Sequence, residues 1–246
     1  PLMVPLVVRP AAQANQLVQM LRQLGHAPLC CPLLETRPGC DLPHLGEMLR
    51  EADLVIAVSM HAVHFAHYFL LQTGQTWPHI DYFAVGQASA DAFAEAGIQA
   101  LCPADPRSEG LLALPALQGV SGRRVLILRG NDGRDLIART LASRGALVHY
   151  CATYERHYPD LDGDALTRHW QAAGLDSLLI TSGELLQRLL ALVPGPQHPW
   201  LYDRLLVVPS PRVAEMAEGA GFTRIVIAQG ASNQALVAAL ELRKME

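Results

Sequence analysis

The sequence predicts an α/β protein built as two similar lobes, each a mainly parallel sheet flanked by helices. Three observations predict it. Short runs of Val, Ile and Leu alternate with longer stretches of helical periodicity; glycine recurs where a helix should stop; and the chain repeats itself at a spacing near 120 residues. With 246 residues, 50% of them hydrophobic and 17% charged, there is apolar material for one large domain or two smaller lobes, and global disorder is excluded.

In chain order, strands are predicted at 6–9, 28–34, 54–58, 82–85, 124–128, 147–154, 177–181, 205–208 and 224–228. Each is an apolar run with little polar alternation, the pattern of parallel strands covered on both faces. Between them lie amphipathic helical stretches, among them 11–24, 62–71, 89–96, 135–144 and 211–219. Gly25, Gly97, Gly145 and Gly221 fall just past helix ends, where a left-handed residue closes the last turn. The Pro- and Gly-rich tract 194–199 reads as a surface loop, and 42–44 as another. Alternating β and α elements imply open parallel sheets with helices on both sides.

The repeat is the most informative feature. Shifted by 120 residues, 6–35 lies on 126–155 without a gap, with Leu6/Leu126, Arg9/Arg129, Leu21/Leu141, Gly25/Gly145, Cys31/Cys151 and Glu35/Glu155 identical. At an offset of 123, Ser59 lies on Ser182, each closing an apolar run; at 124, Ser108 lies on Ser232. The stretch from Val85 to Gly97 parallels the one that ends at Gly221. Aligned blocks in the same order point to two related lobes, and the period is too long for a solenoid.

Charge and cysteine usage narrow the function. The net charge of −4 argues against a nucleic-acid binder, and 18 of the 19 basic residues are arginine, the better fork for carboxylates. Five cysteines, none in a C-x-x-C pair, read as reduced thiols of a cytoplasmic protein rather than a disulfide framework or zinc site. The apolar start, 1–8, is short and followed at once by Arg9, so it reads as no signal peptide. No apolar run approaches the roughly 20 residues of a membrane span.

Ligands of open parallel sheets bind beyond the carboxyl ends of the strands, where loops enter helix N-termini. Those ends carry Arg9-Pro10, Ser59, Gly86 to Ser89, Arg129-Gly130-Asn131-Asp132-Gly133, Thr181-Ser182-Gly183 and Pro209-Ser210-Pro211. Unpaired backbone N–H groups and the helix dipole make such turns anion sites. With two lobes facing each other, six turns would ring one cleft. Ser59, Ser89, Ser182 and Ser210 either cap helices or cap and also touch a ligand. Arg9 and Arg129 hold equivalent repeat positions, which favours carboxylate binding over an incidental surface role.

Other chemistries fit less well. The Gly130–Gly133 turn matches neither phosphate-binding glycine fingerprint. His61, His64 and His67 stand three apart on one predicted helix, yet no Cys or carboxylate lies at a matching spacing, so no metal is predicted. No Gly-x-Ser-x-Gly elbow or His-Glu-x-x-His pattern occurs. Tyr154 closes the predicted strand 147–154, as a structural residue or as a proton donor, since a phenol is protonated at neutral pH.

The segment RGNDGRDLIARTLASRGALVHYCATYER resembles the central signature of the uroporphyrinogen-III synthase family. LVVRP, LVIAVSMHAV, YFAVGQASADAFAEAGI and LLITSGELL are similar to other family blocks, in family order, so the likeness runs from about residue 6 to 240. The resemblance implies two lobes joined by a two-stranded antiparallel linker. One lobe would be 1–35 plus 158–246 and the other 41–152, with linker strands near 35–40 and 153–158.

It also implies an activity without a cofactor: cyclisation of linear hydroxymethylbilane to uroporphyrinogen III with its last ring inverted, through azafulvenium and spiro intermediates. By resemblance Tyr154 is the tyrosine that assists hydroxyl departure, and Ser59, Ser89, Ser182 and Ser210 are cleft hydroxyls. Arg9, Arg129, Gly130, Asn131 and Arg212 would help hold the acetates and propionates of the substrate. Many members carry a Gly-Pro-x-Thr-type turn where this chain has Pro209-Ser210-Pro211-Arg212. The chain would be a monomer that takes its substrate, in transient hand-over, from the preceding pathway enzyme, with no nucleic acid or membrane as partner. A non-catalytic bilobed binding protein or sensor for a small polyanion is the alternative. A transferase with two Rossmann-like lobes is disfavoured by the missing nucleotide fingerprint.

Overall fold

The computed structural model describes residues 2–244. The chain opens with β1 (Pro5–Val7), α1 (Ala11–Gln23) and β2 (Leu29–Cys30), then crosses through β3 (Glu35–Pro38). There follow α2 (Leu45–Glu51), β4 (Leu54–Ala57), α3 (Met60–Gln72), β5 (Asp81–Ala84), α4 (Gln87–Glu95) and α5 (Ser108–Leu112). Next come β6 (Arg124–Arg129), α6 (Leu136–Ser143), β7 (Leu147–Ala152) and the return strand β8 (Tyr154–His157). The chain ends with α7 (Gly163–Ala172), β9 (Ser177–Leu179), α8 (Gly183–Leu192), α9 (His198–Tyr202), β10 (Leu205–Val208), α10 (Pro211–Ala220), β11 (Ile225–Ile227) and α11 (Asn233–Lys244).

Two compact units result, one of residues 1–35 with 157–246, the other of 36–156. The first contains a parallel sheet ordered β11-β10-β9-β1-β2, the second a parallel sheet ordered β5-β4-β6-β7. Strands β3 and β8 form a separate small antiparallel sheet. The α/β class with parallel sheets, flanking helices and a two-stranded connection is therefore the one predicted.

The internal repeat maps onto the sheets strand by strand. Offsets of 120 and 123 carry β1, β2 and β9 onto β6, β7 and β4, so β2-β1-β9-β10 and β7-β6-β4-β5 have the same spatial order. Even β11 has a counterpart: Leu101, 124 residues before Ile225, makes a single parallel bridge to Phe83 at the edge of the second sheet. The second unit is thus a copy in which the chain enters at a different strand.

Strand parity divides each core into two faces, as alternation requires. Leu6, Val8, Leu206 and Val208 pack with Trp170, Leu185 and Leu189 on one side of the first sheet, and Val7, Leu205 and Val207 with Leu17, Leu21 and Leu236 on the other. In the second unit, Val55, Ala57, Leu126 and Leu128 face α3, whereas Leu54, Ile56, Val125 and Ile127 face Leu111, Ile137 and Leu141. Central strands β4 and β10 are buried at every position, which explains their unbroken apolar runs. The edge strand β7 instead alternates, with Leu147 and His149 exposed.

Gly25, Gly97, Gly145 and Gly221 all stand at positive φ, between 79° and 127°, as helix-ending glycines do. Several predicted boundaries need correction. The strand expected at 28–34 pairs only at Leu29–Cys30, because Pro32 has no N–H for the ladder, although Leu33 still donates to the Val8 carbonyl. The strand expected at 147–154 breaks at Thr153 into β7 and β8. The segments read as loops are helical: Leu42–His44 is a 3₁₀ turn leading into α2, and Gly195–Gln197 is another leading into α9. A proline in the first turn of each is the reason, since its fixed φ suits a helix start.

Candidate active site

In each sheet the strand order reverses beside the first-entered central strand, and such a switch point is where loops diverge and leave a crevice. In the second unit it falls between β4 and β6, where Ser59 follows β4 and Arg129-Gly130 ends β6. In the first it falls between β1 and β9, followed by Arg9 and by Ser182.

Ser59 caps α3. Its backbone is extended (φ −152°, ψ 157°), and its Oγ accepts from the Ala62 N–H at 3.2 Å. The same oxygen lies 3.1 Å from the Tyr154 hydroxyl, across 95 residues of sequence. Tyr154 is 8% exposed and packs against two residues of α3: Phe65 stacks on it at 5.9 Å and His61 lies tilted at 5.7 Å. The third side of the ring is Gly130, where a Cβ would sit 2.9 Å from the tyrosine Cζ. Only glycine leaves the ring that space. Burial, aided by His64 and Arg156, lowers the pKa of His61, so at neutral pH its ring is uncharged beside the phenol.

Arg129 is 9% exposed, yet its guanidinium is not idle: it stacks 4.4 Å from the Tyr150 ring centre and lies 3.7 Å from Asp135. It helps line a cavity of about 180 Å³ with Val58, Ile127, Asp132, Arg134 and Tyr150. Burial raises the pKa of Tyr150, opposed by Arg129, so the Tyr150 phenol is protonated at neutral pH. Asn131 accepts the backbone N–H of Arg156 through Oδ1 at 3.1 Å, which ties the glycine-rich turn to β8. Another cavity, near 160 Å³, opens at the opposite strand ends beside Arg124 and His149, away from helix N-termini.

The first unit reproduces the caps. Ser182 accepts from Leu185 N at 3.2 Å and Ser210 from Val213 N at 3.4 Å, with backbones as extended as that of Ser59. Arg212 is exposed, one residue into α10 from its proline. Arg9 is put to internal use, its Nη1 donating to the Ala231 carbonyl and to Asn233 Oδ1 at 2.9 and 2.7 Å, which pins the start of α11 to the end of β1.

One expected cap is corrected. Ser89 does not start a helix: α4 begins at Gln87 behind Gly86, and Ser89 sits 4% exposed in the first turn. It matches the buried Val213 of α10 rather than Ser210, because the turn before α4 reaches its helix two residues earlier than the serine suggested.

Ser59, Gly130 and Tyr154 are therefore drawn together in one unit, with Arg129 and Asn131 on the same turn. Arg9, Ser182, Ser210 and Arg212 belong to the other unit. Sequence reasoning missed Thr153, which is fully buried and donates from Oγ1 to the Ala62 carbonyl at 2.9 Å. A hydroxyl at the end of an apolar strand, next to a singled-out tyrosine, was the available signal. Among the described residues no group of three His, Cys, Asp or Glu side chains is placed to hold a metal, and no helix is long and apolar enough to cross a membrane. His67 of the histidine row instead accepts from the Trp77 indole at 3.0 Å.

Two units with the same parallel sheet order entered at different strands, together with the separate antiparallel pair β3–β8, define a two-unit α/β protein. The chain belongs to the uroporphyrinogen-III synthase family: residues 15–238 match the family model described as Uroporphyrinogen-III synthase HemD. It is 44% identical over 244 residues to the uroporphyrinogen-III synthase of Escherichia coli (strain K12), covering 96% of this chain and 99% of that one. Identity to the Salmonella typhimurium synthase is 42% over 243 residues, with the same coverage of both chains. In fold it is similar to a mutant uroporphyrinogen III synthase of the extremely thermophilic bacterium Thermus thermophilus (TM-score 0.63, 18% identity, all of both chains). It is also similar to the Helicobacter pylori uroporphyrinogen-III synthetase (TM-score 0.58, 16% identity, 99% of this chain and all of that one). The family places the chain in tetrapyrrole biosynthesis.

Proposed function

We propose that the chain cyclises hydroxymethylbilane to uroporphyrinogen III, inverting the last pyrrole ring, as a lyase of the haem and sirohaem route in the cytoplasm. The observation that carries this reading is the Tyr154 hydroxyl held 3.1 Å from a serine oxygen that itself accepts from a helix N-terminus. In the first step the phenol gives its proton to the departing hydroxyl, the C–O bond breaks, and water and an azafulvenium cation result. Ser59, polarised by the Ala62 N–H, donates to the phenolate, and the positive end of α3 stabilises it further.

Attack on the exocyclic carbon by the substituted position of the last ring forms the spiro intermediate, which fragments. Reclosure through the unsubstituted α-carbon of that ring forms the inverted C–C bond and expels that carbon's proton, which returns the phenolate to the phenol. Free bilane closes unaided to the non-inverted isomer, so conformation rather than strong acid–base power is what the enzyme must impose. Arg129, Gly130, Asn131, Ser182, Ser210 and Arg212, with Arg9 and the buried Ser89 in lesser parts, are assigned to the substrate's carboxylates. No resident cofactor is assigned, and substrate arrives by transient hand-over from the enzyme that assembles the bilane.

The test feeds freshly generated hydroxymethylbilane to the protein and resolves the uroporphyrin isomers after oxidation. Isomer III in excess is expected; isomer I alone at the spontaneous rate rejects the reading. Tyr154→Phe should slow turnover by more than about tenfold while the circular dichroism spectrum is unchanged. An undiminished rate removes Tyr154 from the mechanism.

A further inference from the structure

Thr153 sits at the break between β7 and β8, wholly buried, with every polar group engaged. Its N–H donates to the Arg129 carbonyl at 3.0 Å, and its own carbonyl accepts from Gly39 N–H at 2.9 Å. Its hydroxyl donates to the Ala62 carbonyl at 2.9 Å. Ala62 in turn donates its N–H to Ser59 Oγ, and Ser59 Oγ is hydrogen-bonded to the Tyr154 hydroxyl. These contacts close a ring: Thr153 to Ala62, Ala62 to Ser59, Ser59 to Tyr154, and Tyr154 back to Thr153 through the peptide bond. One residue in the first turn of α3 thereby holds the tyrosine at both ends, its phenol through Ser59 and its main chain through Thr153.

We propose that Thr153 is a positioning residue for the Tyr154 phenol, its hydroxyl fixing the tyrosine backbone to the same helical turn that holds the phenolic oxygen. A proton transfer tolerates only small misplacement of its donor, and support from neighbouring hydrogen bonds is what limits it. A threonine that merely satisfied its own buried hydroxyl would alter stability and leave the rate per folded molecule alone. The inference rests on the reading of Tyr154 as proton donor, so both are tested together.

The experiment measures kcat and KM, per folded molecule, for Thr153→Val, Thr153→Ser, Thr153→Ala, Tyr154→Phe and the Thr153→Val/Tyr154→Phe pair. Thr153→Val is expected to lower kcat about tenfold with KM within about twofold, and Thr153→Ser to restore kcat to within about threefold. In the Tyr154→Phe background, Thr153→Val should have no further effect on kcat, since the group it positions is gone. Thr153→Val with undiminished kcat, or with the same fold-loss in both backgrounds, overturns the inference alone. Should the valine variant not fold, serine is compared with alanine, and equal kcat for those two overturns it. A Tyr154→Phe rate equal to the parent's removes the reading of Tyr154 and this inference with it.

Discussion

Tyr154 shows how much a single side chain depends on what surrounds it. Its ring is enclosed by Phe65, His61 and Gly130, and only its oxygen meets a polar partner. Burying most of the ring while satisfying the hydroxyl gives a fixed donor without an unpaired polar atom, which a buried phenol otherwise makes costly. The cysteines follow the same logic with the opposite outcome. Burial, then Asp41 and Cys40, pushes the Cys151 thiol up to about 12, and burial with Cys30 pushes Cys31 to about 11. At neutral pH neither is a thiolate, the form that reacts. In the folded protein a maleimide should therefore label the exposed Cys30 and Cys40, and Cys31 and Cys151 only after denaturation. Peptide mass mapping checks this, and labelling of Cys151 at the rate of Cys40 in the native state would contradict it.

Three of the four serines singled out were legible as caps because each follows an apolar run and opens a helical pattern, a signal confined to a few adjacent residues. Ser89 was not, because Gly86 starts the helix with no side chain to announce it. For Thr153 the sequence offered only a hydroxyl beside Tyr154 and not the contact it makes, because its partner, Ala62, is 91 residues away.

Among elements, the crossing strands β3 and β8 carry the most consequence for the site. Arg37 and Glu155 pair across them at 3.0 Å, and Asp41 accepts the Ala152 N–H at 2.8 Å. The approach is closest at Gly39, where a Cβ would fall 2.0 Å from the Ala152 carbonyl oxygen and 2.6 Å from the Tyr154 nitrogen, both main-chain atoms that cannot swing aside. Gly39→Ala is expected to cost about 3 kcal/mol or more, by forcing apart the backbone on either side of Thr153. It should also slow turnover in whatever fraction remains folded. Urea unfolding and rate measurement check this, and an unchanged midpoint would mean that the crossing relaxes at no cost. The apolar run by itself predicts a single strand at 147–154, since Ala, Thr and Tyr suit a continuing strand as well as a change of partner, whereas the family resemblance sets a linker strand near 153–158.

On the scale of the molecule, each unit buries apolar side chains on both faces of its own sheet. Residues 36–156 form a continuous segment with a complete two-faced core. Expressed alone, that segment should fold, with one cooperative urea transition and a structured near-ultraviolet dichroism spectrum. A gradual transition with exposed apolar surface would refute it.

The α/β alternation, the helix-ending glycines, the capping serines and the doubled sheet were determined by the sequence alone, because each is written in residues close together or in a repeat that compares the chain with itself. Only the tertiary structure decided which strands are neighbours, that the two sheets share one order entered at different strands, and that Thr153, Ala62, Ser59 and Tyr154 close on one another. Those contacts join positions more than 90 residues apart. Periodicity records which face of a strand is buried, but it says nothing about which distant hydroxyl that face will meet.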